Sequence, residues 1–256
     1  MRIATFNVNG VNGRLERLLE WLADAQPDVV CLQELKAPQE KFPAAAIEKA
    51  GYGAIWQGQS RWNGVAMLAR GCEPVETRRG LPGEPEDEQA RYIEAAVNGV
   101  LIGGMYAPNG NPIGTEKFAY KLRWLDRLFD HAAGLVGLDC PVVLTGDYNI
   151  IPEDIDAYKP ERWTDDALFQ PEPRARYRKL LAQGWTDALR YLHPDEAVFT
   201  FWDYWRNAFA RDAGLRIDHF LLNAPALPRL RSAQVDKVAR GKEGASDHAP
   251  VWIDLA

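Results

Sequence analysis

The stretch Leu144-Thr145-Gly146-Asp147-Tyr148-Asn149-Ile150, LTGDYNI, decides how this chain is read. It continues an apolar run from Val142 to Leu144 that has the character of a buried strand, and it places an acid and an amide where the run stops. A strand ending in Asp147 and Asn149 brings polar groups to the rim of a sheet, where α/β proteins collect their ligands.

Further strands are expected at Ile3 to Phe6, Val29 to Leu32, Val65 to Leu68, Tyr92 to Val97, Val100 to Tyr106, Ile217 to Leu222 and Val251 to Leu255. Apolar residues spaced by three and four at Leu15, Leu18, Leu19 and Leu22, and at Phe118, Leu122, Leu125 and Phe129, predict amphipathic helices between them. The fold class is α/β, and no linker or repeat divides residues 1–256 into more than a single domain. The segments Pro82 to Glu88 and Pro152 to Pro173, rich in proline and charge, read as surface loops.

Polar residues gather at the strand ends. Asn7, Glu34 and Tyr106 follow their strands, Asp218 lies within LRIDHFLL, and Asp247 with His248 precedes the final strand. If these residues share a site, the last strand runs opposite to the others and the sheets are mixed. Neither GxGxxG nor GxxxxGK[ST] is present.

Glu34 and Asp247 are hard oxygen donors suited to Mg²⁺ or Mn²⁺ beside a phosphate. Asn7 and Asn149 can hold a phosphate oxygen or a water without adding negative charge. His248 can donate to a phosphoryl oxygen, Asp218 can keep it protonated, and Asp147 can take the proton of an attacking water. Taken singly, each has a plainer reading as a turn, a cap or, for His219 beside Asp218, a half-buried histidine. Their joint occurrence favours phosphoryl chemistry.

Apolar content of 46% and no run near the roughly 18 apolar residues of a membrane span point to a soluble, cytoplasmic protein. Cys31, Cys72 and Cys140 are too far apart for a CxxC site and read as buried thiols. A net charge of −6 argues against a general nucleic-acid coat protein, while Arg206, Arg211, Arg216, Arg229, Arg231, Lys237, Arg240 and Lys242 could form a local basic face or a solvated one. Ser60, Ser232 and Ser246 lie outside GxSxG, which excludes the usual serine hydrolase.

ATFNVNG (4–10), LQELK (32–36), YAPNG (106–110), GDYNI (146–150), GLRIDHFL (214–221) and SDHAPV (246–251) together resemble the exonuclease III family of abasic-site (AP) endonucleases, within the endonuclease/exonuclease/phosphatase superfamily. The resemblance spans nearly the whole chain and implies a DNase I-like four-layer α/β sandwich, two mixed sheets face to face with helices outside. It further implies Mg²⁺-dependent cleavage 5′ to an abasic site in duplex DNA, with 3′-5′ exonuclease and 3′-end cleaning, by a monomer.

By the same resemblance, Glu34 holds the metal with Asn7 and Asp247 near, and His248 with Asp218 contacts the phosphate. Asp147 and Asn149 activate water, and Tyr106 meets the phosphate or leaving group. Phe201, Trp202, Leu215 and Ile217 form a pocket for a sugar without its base, and Asn109, Trp205 and Arg206 contact DNA. The sequence departs from the family pattern at Asn12, Leu35 and Trp205. A phosphodiesterase of inositol phosphates or phospholipids is the alternative enzyme, and a non-catalytic DNA-binding module is disfavoured by the intact acids, amides and histidine.

Overall fold

The computed structural model describes residues 1–256. In chain order its strands are β1 (Arg2–Asn7), β2 (Val29–Gln33), β3 (Tyr52–Gln57), β4 (Val65–Arg70), β5 (Val75–Arg79) and β6 (Tyr92–Val97). There follow β7 (Val100–Tyr106), β8 (Val142–Asp147), β9 (Thr186–Asp187), β10 (Asp218–Leu222), β11 (Leu230–Val235) and β12 (Val251–Leu255). They make two six-stranded sheets, ordered β11-β12-β1-β2-β4-β3 and β5-β6-β7-β8-β10-β9. The central pairs β1·β2 and β7·β8 are parallel and every other pairing is antiparallel, β12 on β1 included, so the expectation of mixed sheets holds.

Side chains alternate across each strand, so every second residue points into the space between the sheets. Ile3, Val29, Cys31, Met67, Ile102, Val143 and Phe220 fill that space. The opposite faces are covered by helices α1 (Leu15–Ala25) and α2 (Ala44–Lys49) on one side and α3 (Glu116–Val136) and α4 (Pro171–Ala182) on the other. Leu18, Trp21 and Leu22 pack on Ala4, Phe6 and Val30; Trp124, Leu128 and Tyr177 pack on Tyr92, Leu144 and Leu221. The four layers expected from the family resemblance are therefore present, and no helix is long and apolar enough to cross a membrane.

The inward rows change character along their length. Ile3-Thr5-Asn7, Val29-Cys31-Gln33 and Val143-Thr145-Asp147 each begin apolar and end polar, while Asp218-Phe220-Leu222 runs the other way because β10 is antiparallel to β8. All four rows present their polar ends at one rim of the sandwich. Gly146 makes the β8 end possible: its φ is +147°, and a Cβ there would lie 1.9 Å from the Met105 carbonyl oxygen.

Several expectations need correction. The segment Pro152 to Pro173 holds two short 3₁₀ turns, buries Asp156, Ala157, Ala167 and Leu168, and runs into α4. Cys72 and Cys140 are exposed, because they sit in turns beyond strand ends; Cys31 alone is buried. Arg216 is buried, paired to Asp156 at 2.6 Å and Asp187 at 2.7 Å, so it belongs to no basic surface. His219 is fully buried, its Nδ1 near Arg216 and its Nε2 on the Ile150 carbonyl.

Candidate active site

At the polar rim the strand ends converge on a cavity of about 270 Å³. Asn7, the last residue of β1, donates from Nδ2 to Glu34 Oε1 and Asp147 Oδ2, both at 2.9 Å, and so links the two sheets. Tyr106, at the end of β7, donates its hydroxyl to the same Glu34 oxygen at 2.9 Å, while Lys36 Nζ holds Glu34 Oε2 at 2.8 Å. Glu34 has a left-handed backbone, φ +52°, a conformation that costs about 1–2 kcal/mol for a residue of its kind and is held here by its three partners.

Asp147 accepts the Asn149 backbone N–H on Oδ1 at 2.9 Å. Asn149, also left-handed with φ +50°, is fixed by its own side chain on the Ala107 carbonyl and by the amide of Asn109 at 3.3 Å. Opposite stands His248, whose Nδ1 lies 2.9 Å from Asp218 Oδ2 and whose Nε2 lies 3.8 Å from Asp147 Oδ2. Thr200 donates to the same Asp218 oxygen at 2.7 Å and locks its rotamer. The partner on Nδ1 assigns that nitrogen as N–H, leaving Nε2–H free to point at a ligand.

The electrostatics follow from burial and proximity. Burial alone lowers the His248 imidazolium, but the Asp218 and Asp147 carboxylates reverse this and raise it to about 10. Burial raises Asp147; the His248 charge opposes it, and Asp218 and Glu34 push the carboxyl up again, to about 7. Asp247, at the start of the β12 approach, accepts Asn9 Nδ2 at 3.0 Å and opens on the same cavity.

Asp147, Asp218 and His248 bring three ligand-capable atoms within 4.8 Å, an acidic cluster of the kind that holds a metal. His248 is cationic and committed to Asp218, so the hard-oxygen character belongs instead to Glu34 and Asp247. The cavity is lined by five carboxylates, Glu34, Asp147, Asp166, Asp203 and Asp247, against the one imidazolium. That excess of negative charge suits a divalent cation and repels a bare phosphate.

The far wall is apolar. Phe201, Leu215 and Ile217 line it as the sequence predicts, and Phe201 packs edge-on to His248 with ring centroids 5.0 Å apart. Trp202 does not: it is fully buried behind the wall, against Phe209, with Nε1 on Asp212. The chain is extended there, so the neighbour of Phe201 must face the other way, and Trp202 supports Asp247 only through its backbone N–H. Trp163 and Leu168 complete the wall instead. Sequence reading missed them because they come from the aperiodic 152–173 segment; it also passed over Lys36, although the residue stands inside LQELK.

Trp205, 76% exposed, and Arg206, with φ +55°, line a neighbouring cavity of about 610 Å³ that shares Trp163, Asp166 and Asp203 with the central one. Behind the site, Lys121 is wholly buried in the apolar stripe of α3. Its ammonium donates to the carbonyls of Asn109, Asn149 and Ala167 at 2.9, 2.6 and 3.2 Å.

The sequence profile of the endonuclease/exonuclease/phosphatase family matches residues 4–248. Exodeoxyribonuclease III of Haemophilus influenzae is 35% identical over all of both chains. Among solved structures, a 3′ phosphatase from Neisseria bound to a product DNA hairpin is 40% identical, with a TM-score of 0.95 over 100% of this chain and 99% of that one. An AP endonuclease from Archaeoglobus fulgidus is 37% identical, again with a TM-score of 0.95 and the same coverage.

Proposed function

The chain belongs to the endonuclease/exonuclease/phosphatase family, in the branch of exodeoxyribonuclease III and the AP endonucleases, and from that premise we propose a DNA repair nuclease that cleaves duplex DNA 5′ to abasic sites and also processes 3′ ends. The observation that carries this reading is the junction of two walls: the Asp147, His248 and Asp218 array faces an apolar surface of Phe201, Leu215, Ile217 and Leu168. A phosphate at the array leaves the adjoining sugar against the apolar surface, and a sugar without its base is the one that fits without desolvating a base edge.

In this mechanism a water lies between Asp147 and the phosphorus. Asp147 takes its proton as the new P–O bond forms, with Asn149 holding the carboxylate in register. His248 donates Nε2–H to a non-bridging oxygen as negative charge grows there, and Asp218 keeps the imidazolium charged. As the P–O3′ bond breaks, Tyr106 turns its hydroxyl from Glu34 and donates a hydrogen bond to the departing 3′ oxygen, which takes a proton from solvent water and leaves as an alcohol. Glu34 and Asp247, with Asn7 fixing Glu34 through its Nδ2, would hold Mg²⁺ or Mn²⁺, which supplies positive charge to the phosphoryl oxygens when bound. Asn109, Trp205 and Arg206 hold the duplex at the rim. We propose that residues 1–256 act as one domain, a monomer working in the cytoplasm, since one rim suffices for one duplex; elution as a dimer in size-exclusion chromatography would contradict this.

The similarity to a 3′ phosphatase favours a second reading in which 3′ ends are the main substrate. Two labelled duplexes separate them, one with an internal stable abasic analogue and one with an intact recessed 3′ end, in Mg²⁺ and in EDTA. Metal-dependent incision at the internal site, lost in Asp147→Asn and Glu34→Ala, supports the first reading; digestion of the recessed end alone supports the second. Cleavage of neither duplex would turn attention to inositol phosphates and phospholipid head groups.

A further inference from the structure

The sequence offers Arg240 to a local basic face, yet only 8% of the residue is exposed. It ends the short helix Lys237–Arg240, and its guanidinium lies over two rings, 5.3 Å from the centre of Tyr204 and 5.0 Å from that of Phe209. Unlike the buried Arg216, which is paired to Asp156 and Asp187, it forms no ion pair with a carboxylate. Its hydrogen bonds end on backbone: Nη2 donates to the Trp202 carbonyl at 2.8 Å and Nε to the Asp247 carbonyl at 3.2 Å. A buried cation without a counter-ion costs more than an apolar side chain in the same cleft. What an arginine supplies there, and an apolar residue cannot, is the grip on two carbonyls.

The place of those carbonyls gives the grip its meaning. The Asp247 carbonyl also accepts the Trp202 N–H at 2.9 Å, and the Ala249 N–H donates to the Thr200 carbonyl at 2.8 Å, so residues 200–202 and 247–249 run side by side with Phe201 opposite His248. The peptide unit from Asp247 to His248 lies at the end of this pairing. Its N–H has only a long hydrogen bond, 3.3 Å, to Ser246 Oγ; the Asp247 carboxylate has Asn9 at 3.0 Å and the same hydroxyl at 3.3 Å. The carbonyl side, held by Arg240 and Trp202, is the firm one. A peptide unit is rigid and planar, so a rotation of this one would swing Asp247 and His248 together, since they branch from its two ends.

We propose that Arg240 is a positioning residue: it clamps the peptide plane between Asp247 and His248, and so holds the metal-facing carboxylate and the phosphate-facing imidazole in one fixed relation. The inference rests on the metal and phosphate roles given to these two residues above. Arg240 touches neither ligand and acts through the backbone of the residues that do. Outer partners of this kind orient the groups that meet a metal, and their loss typically lowers metal affinity or activity roughly 10–100-fold.

The test titrates Mn²⁺ into the intact, DNA-free protein, with free cation counted by electron paramagnetic resonance, for wild type, Arg240→Lys, Arg240→Gln and Asp156→Ala. Lysine keeps a cation beside the rings, but its single ammonium does not span both carbonyls, so both Arg240 variants should bind Mn²⁺ roughly tenfold more weakly than wild type. Asp156→Ala breaks the buried Arg216 pair elsewhere in the fold and should bind as wild type does. Circular dichroism shows which proteins are folded, and Arg240→Lys carries the test if Arg240→Gln is not. Wild-type affinity in Arg240→Lys would mean that charge alone suffices, and an equal loss in Asp156→Ala would mean a general loosening; either overturns the clamp. No Mn²⁺ bound by wild type would overturn the metal reading and this inference together, which keeps the two failures apart. On the abasic duplex at saturating Mg²⁺, kcat of Arg240→Lys should fall roughly tenfold with KM unchanged. A raised KM with unchanged kcat would make Arg240 a DNA contact instead and overturn the assignment.

Discussion

Asp147 and His248 keep the usual order of proton loss but both are displaced upward: the carboxyl is raised to about 7 and the imidazole to about 10. A base must be unprotonated to act, so kcat/KM measured at saturating Mg²⁺ is expected to rise with pH along an Asp147 limb, which cation charge beside Glu34 brings below 7. The His248 charge holds the Asp147 carboxyl down, so His248→Gln should move that limb to higher pH while lowering kcat by roughly 10²–10³-fold. A pH–rate series on both proteins checks it, and an unmoved limb would detach the titration from Asp147. The eight polar residues Asn7, Glu34, Tyr106, Asp147, Asn149, Asp218, Asp247 and His248 were legible in the sequence because they gather where apolar runs begin or end. Trp202 and Arg216 were not. Residue type does not say which face of an extended segment points inward, and the acids that neutralise Arg216 stand 60 and 29 positions away.

Lys121 ties three loops, after β7, after β8 and before α4, to one point on α3. Lys121→Met keeps the length and apolar stem but leaves three carbonyls without their donor, and should cost about 3 kcal/mol, lowering Tm by roughly 6–10 °C. Thermal unfolding followed by circular dichroism measures it. The junction of β7 and β8 tolerates still less: Gly146→Ala would drive a Cβ into the Met105 carbonyl and open the parallel pair that carries Tyr106 and Asp147, so little folded protein is expected on expression. Helices α1 and α3 were legible from periodicity, although the buried face of α3 is centred on Trp124 and Leu128 instead of Phe118 and Phe129. Strands β3, β5, β9 and β11 were not. β5 is exposed at every residue and shows no alternation, and β9 is two residues long, so their pairing depends on the strand beside them.

At the scale of the whole molecule, Asp156 binds the 152–173 segment to Arg216, and Arg216 binds both to Asp187 under β10. Asp156→Ala would leave a buried guanidinium half-paired, at a cost of about 3–5 kcal/mol in urea unfolding. His219 sits in the same network, lowered to about 4 by burial and by Arg216. Its folded value lies below its unfolded value near 6.5, so its contribution, about 3 kcal/mol, is present above pH 6.5 and is lost as pH falls toward 4. Urea midpoints at pH 7 and pH 4.5 should therefore differ more for wild type than for His219→Gln. The mixed sheets were legible because Asp247 and His248 precede their strand; the strand order was not, since it depends on pairings such as β1 with β12 across nearly the full chain. One feature of the sandwich reaches further. Gly104 leaves room for Cys31, where a Cβ would stand 3.0 Å from Sγ, so the two sheets approach closely at this point. Glu34 and Asn7 ride on one sheet, Tyr106 and Asp147 on the other, and their hydrogen bonds span the seam. Turnover by this protein then works as a gauge of that spacing. A methyl group added at Gly104, two residues before Tyr106 on β7, should reach the reacting atoms as a misalignment of two halves of one tool.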